Sequence, residues 1–217
     1  MSTAEETQTP DITEKIREGY MDYVLEHGKR PPSVYKFAKS IDLTEAELYN
    51  HYTSFDHLEQ GIWEAIFTET NDAIRSEEVW QSYSVREKML AFYYTLAEVM
   101  KKHRSFILAT MPKPRPQWTP PHLKKFKEQF QELGMELIAE GVETQEIENR
   151  PYITERYHEA LWGQAMFIIN FWIKDDSASF ERTDAAIEKT VNLGLDLMGK
   201  GIVDSVVDFA KFIFQQR

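Results

Sequence analysis

Apolar residues recur along this chain every three to four positions, and almost nowhere do they alternate with polar ones as in a half-buried strand. The pattern predicts an all-α protein. A polar, acidic stretch to Pro10 is expected to be a disordered tail. A helix over 12–27 follows, with Ile16, Tyr20, Tyr23 and Val24 on its inner face and Gly28 at its end. Val34, Phe37, Ala38 and Ile41 define one short helix, Asp42 and Leu43 a turn, and Thr44 caps a second short helix carrying Leu48, Tyr49 and Tyr52. Leu58, Ile62, Ala65, Ile66 and Ala73 share one side of a longer helix over 56–75. Ser84 opens another, which runs to about His103 and is continued over 105–111. Five prolines between 112 and 121 then enforce an extended loop around Trp118. Helices over 122–140, 154–174 and 180–199 and a C-terminal amphipathic helix over 202–217 complete the chain.

Two short helices joined by a tight turn make a helix-turn-helix, whose second helix can lie in a DNA major groove. The stretch SVYKFAKSIDLTEAELYNHYTSFDHL resembles the DNA-binding domain of TetR-family repressors. Ser33, Val34, Phe37, Ala38, Asp42, Leu43, Thr44, Leu48, Tyr49, His51, Tyr52, Ser54, Phe55 and Leu58 carry the resemblance. It implies a TetR-like architecture: a three-helix head over 11–56 joined to a larger ligand-binding and dimerisation body over 57–217, with a four-helix interface in a homodimer. It also implies contacts to a duplex operator from Thr44, Tyr49, Asn50, His51 and Tyr52, with Lys36 and Lys39 on phosphates.

The segment 154–174 is apolar nearly all round, so it needs cover on two sides. Tyr157, Leu161, Ile169 and Ile173, with Val191, Leu195 and Met198 of the next helix, are expected to face a partner subunit. Phe92, Tyr93, Met100, Phe106, Met111, Trp118, Phe126, Phe130, Trp162 and Met166 are the candidate lining of a cavity for a small apolar ligand.

Charge qualifies the DNA reading. The chain has a formal net charge of −11, and residues 11–75 hold seven Lys/Arg against thirteen Asp/Glu. Non-specific affinity for DNA comes mainly from cations displacing counterions at phosphates. A second reading therefore stands beside the ligand-responsive regulator. It is an apolar-ligand or lipid-binding protein of the same fold that does not bind DNA, similar to the accessory proteins of ubiquinone biosynthesis. The chain has no cysteine, no Gly-rich phosphate loop and no nucleophile elbow, so neither enzymatic activity nor a cofactor is expected. Glu155-x-x-His158 has the spacing of carboxylate-bridged metal sites but occurs once, so no metal site is expected. The acidic N-terminus and the absence of any apolar run near the roughly 20 residues that span a bilayer point to a cytoplasmic protein without a membrane span.

Overall fold

The computed structural model describes residues 11–112, 119–199 and 201. Among them every regular element is helical: α1 (Ile12–His27), α2 (Val34–Ser40), α3 (Glu45–His51), α4 (Phe55–Arg75), α5 (Val85–Lys102), α6 (Arg104–Thr110), α7 (Lys124–Glu143), α8 (Tyr157–Lys174) and α9 (Glu181–Met198). Local chemistry sets most of the starts. Ser33, Thr44, Ser54 and Ser84 each accept a hydrogen bond from the amide three residues on, and Asp11 accepts from Thr13 N. These bonds satisfy N–H groups that the first helical turn leaves without partners. Gly28, at φ +65°, closes α1 in the left-handed conformation that favours glycine.

The expected boundaries shift at four places. A break at His103 separates α5 from α6. A 3-10 turn over Pro121–Leu123 precedes α7, which then runs three residues beyond its expected end. Thr154–Arg156 forms a second 3-10 turn before α8. Phe180 is not helical: it follows Ser179 in the left-handed region, at φ 62° and 53°, so α9 starts at Glu181. Arg104 offsets that unfavourable pair, its guanidinium lying 4.6 Å from the ring centroids of both Trp172 and Phe180.

The first three helices form the head. Its core is Ile16, Tyr20, Val24, Phe37, Ala38 and Leu48, closed from below by the start of α4. α4 then runs into the body and packs on α5 and α7; α8 packs between α7 and α9, and α9 returns onto α5. The body core is a set of interlocked rings. Phe67, Phe92, Tyr93, Phe126, Phe130 and Trp162 sit with neighbouring centroids from 5.4 to 6.4 Å apart. Trp63, Trp80, Trp162 and Trp172 are all buried in or around it.

Candidate nucleic-acid interface and its seam with the body

The turn between α2 and α3 is made by Asp42, at φ 55°, and Leu43, whose amide bonds back to Ala38 O. α3 begins with a reciprocal cap. Thr44 Oγ1 accepts from Glu47 N, while Thr44 N and Oγ1 donate to Glu47 Oε2 at 2.8 and 2.7 Å. Those two donors hold the Glu47 carboxyl below the usual carboxylate range. Thr44 is thus committed to the cap. Leu48 points inward, and Tyr49 and Asn50 point outward, Tyr49 at 47% exposure. Lys36 and Lys39 of α2 are exposed, and neither forms an ion pair among the described residues.

Two of the expected DNA contacts are placed elsewhere. Tyr52, at 5% exposure, belongs to the core. Its ring lies against Gly61 of α4, where an added Cβ would stand 2.6 Å from a ring carbon, so Gly61 is what lets the end of α3 approach α4. His51 is half-buried, with Nδ1 3.1 Å from Thr13 Oγ1 of α1. Both residues fix α3 to its neighbours.

The seam between head and body centres on an acidic residue that periodicity does not mark. Glu59 of α4 is buried and accepts from Tyr20 Oη at 2.6 Å and from Arg30 Nε and Nη2 at 2.8 and 2.6 Å; Arg30 also pairs with Asp56 at 2.7 Å. Burial and the Glu59 carboxylate push the Tyr20 hydroxyl far up, and the same carboxylate raises Arg30. Phe106 of α6, expected in the body cavity, instead meets Tyr20 edge-on at 6.2 Å and completes this seam. One turn below Glu59, Trp63 stacks on His122 at 6.0 Å, and His122 Nε2 lies 3.4 Å from Met111 Sδ. Burial holds the His122 imidazole below its ordinary pKa.

Of the remaining cavity residues, Phe92, Tyr93, Met100, Phe126, Phe130 and Trp162 are buried, and Met111 and Met166 are partly buried against the same core. Trp118 and the segment 202–217 lie outside the described residues. Polar groups at this core that periodicity misses are Gln164, which accepts from Tyr93 Oη at 3.1 Å, and Thr119, which accepts from Trp162 Nε1 at 3.0 Å. A third is Gln129, whose Oε1 is buried with no hydrogen-bond partner among the described residues.

The expected interface stripe is mostly enclosed within its own subunit. Ile169, Val191 and Leu195 are buried inside their own subunit, and Ile173 is half-buried. Ile169 and Ile173 share a side of α8 with Trp162, which packs on Phe126 and Phe130 of α7. Tyr157, Leu161 and Met198 form the floor of an apolar groove of about 410 Å3 between α8 and α9. Its walls carry the exposed Phe167 (50%) and Leu193 (59%), together with Ile153 and Leu197. Among the described residues no cluster of three or more His, Asp or Glu could hold a metal ion, and no helix is long and apolar enough to cross a membrane.

No curated protein matches the chain. Three solved structures share its fold. A Shewanella sp. PV-4 chain described as a tetR family transcription regulator is 14% identical with a TM-score of 0.57, over 87% of this chain and 98% of that one. A tetR-family bacterial regulatory protein from Rhodococcus RHA1 is 14% identical at 0.55, over 89% and 100%. The TetR family transcriptional regulator PfmR from Thermus thermophilus is 17% identical at 0.51, over 86% and 99%. The family profile of the Tetracyclin repressor-like C-terminal domain matches residues 88–213, more than half of the sequence. The chain belongs to the TetR family of transcriptional regulators.

Proposed function

We propose that this protein is a ligand-responsive repressor, a homodimer that binds a duplex operator through α2 and α3 and releases it when a small apolar ligand enters the body. The observation that carries the DNA half is the distribution of charge over the head. Its acids outnumber its cations, yet Glu47 is bonded into the α3 cap and Glu59 is buried under Arg30. Lys36 and Lys39 of α2, by contrast, are exposed, as are Tyr49 and Asn50 of α3, and neither lysine forms an ion pair among the described residues. These two lysines are the cations that α2 offers to phosphates. The aromatic make-up of the body core favours an apolar ligand over a charged one, and the Met111–His122–Trp63 contact is the route by which its arrival would reach α4. The exposed groove between α8 and α9 supports dimerisation.

Binding of fluorescently labelled random and selected duplexes tests this as salt is varied. The slope of log K against log salt scales with about 0.9 per phosphate neutralised, so a shallow slope is expected for a head whose cations are this few. Lys36→Ala combined with Lys39→Ala removes four cations from the dimer and should lower its magnitude by roughly 3 to 4. Wild-type protein that retains no duplex even at low salt would exclude the repressor reading.

A further inference from the structure

The seven side chains of α3 sort into an inner and an outer set. Leu48 is buried; Glu45, three residues before it, is half-buried on the same side; His51 is tied to Thr13. The Glu47 carboxylate is folded back onto Thr44 N and Oγ1. The other exposed side chains of α3 are Ala46, Tyr49 and Asn50, and α2 adds the exposed Lys36 and Lys39. A helix with this outer face has one side chain able to make a paired hydrogen bond to a base edge and one small apolar side chain. In the major groove adenine presents N7 as acceptor and its N6 amino group as donor, a pattern a carboxamide matches with two bonds. Thymine presents a 5-methyl group that a small apolar side chain contacts. Ala46 and Asn50 are four residues apart, so they share one side of α3, separated by about 6 Å along its axis. Two side chains that close on one side of a helix lying in the groove reach neighbouring base pairs.

We infer that α3 reads an A·T-containing half-site: Asn50 specifies an adenine, Ala46 a thymine one or two base pairs away, and Tyr49 with Lys36 and Lys39 holds the flanking phosphates. This assignment rests on the DNA-binding reading above and adds to it the division of α3 into base-reading and positioning residues.

Selection of bound sequences from a randomised duplex pool, run in parallel on the full-length wild type, Asn50→Ala and Ala46→Ser, tests it. Both positions are exposed, so the variants should keep the wild-type circular dichroism spectrum. The wild type should enrich an adenine and a neighbouring thymine in each half-site. Asn50→Ala should lose the preference at the adenine alone, by about tenfold, while the rest of the consensus persists. Ala46→Ser should relax the thymine position only. An unchanged consensus in Asn50→Ala, or a uniform loss across all sequences as expected of a phosphate contact, would overturn the assignment and leave the repressor reading intact. Failure of the wild type to enrich any sequence or hold any duplex would remove both.

Discussion

Glu59 is surrounded by donors rather than water: Tyr20 from α1 and Arg30 from the loop that follows it converge on one carboxylate of α4. Glu59→Ala should leave the buried Tyr20 hydroxyl unpartnered and destabilise the protein by about 2 kcal/mol. Tyr20→Phe combined with Glu59→Ala should cost less than the two single changes added together, and additive losses in a denaturant-unfolding cycle would show that the contact is not energetically coupled. Two imidazoles, the buried His122 and the half-buried His103, make a separate prediction. Burial holds His103 and His122 below 6.5, the ordinary value to which unfolding returns them. The unfolded chain therefore takes up protons first, so their contribution to stability is complete above pH ~6.5 and is lost as pH falls through that value. Melting temperature should drop between pH 7.5 and 5.5, and His122→Gln should shrink the drop; an equal drop in the variant would assign it to other groups. None of this is legible in the sequence, because Tyr20, Arg30 and Glu59 are brought together across separations of 29 and 39 residues, and an acid on a helix ordinarily reads as solvated.

At the level of elements, the helix starts are written in single residues. Thr44 and Ser84 can be read directly because a hydroxyl that caps acts within three residues of itself, and Ser33 and Ser54 cap α2 and α4 in the same way. α3 depends on its cap more than the longer helices do, having only seven residues. Thr44→Ala should cost about 1 kcal/mol and loosen α3 locally. Amide exchange at Glu47–His51 should accelerate while α5 and α7 stay protected; equal acceleration throughout would mean that head and body open together. The face assignment on α8 is less legible. An almost wholly apolar helix offers no polar stripe to orient it, and Phe167, which belongs to neither expected stripe, is the exposed aromatic. Likewise the net charge of residues 11–75 is readable but its distribution is not, since Glu59 is buried under Tyr20 and Arg30 by hydrogen bonds that composition cannot express.

For the molecule as a whole, the groove between α8 and α9 is the largest consequence of that face. Phe167 and Leu193 together present apolar surface of the kind that a stable dimer of about 1,600 Å2 buries. Phe167→Asp and Leu193→Asp should each give a folded monomer in sedimentation velocity at micromolar concentration. Ile169→Asp should unfold the chain instead, because Ile169 is fully enclosed within its own subunit. A monomeric wild type, or a dimer indifferent to Phe167→Asp, would refute the interface.

The tryptophans carry an optical consequence. All five lie at or beyond position 63, and the four within the described residues are buried in α4 or the body. Indole emission therefore follows the body and is nearly silent about α1, α2 and α3, whereas far-ultraviolet ellipticity sums over every helix. If the Tyr20–Glu59–Arg30 contact makes the protein a single cooperative unit, the two signals should trace superimposable melting curves. An ellipticity change that precedes the emission change would reveal a head that melts while its body is still folded, a state that could retain ligand after losing its grip on an operator.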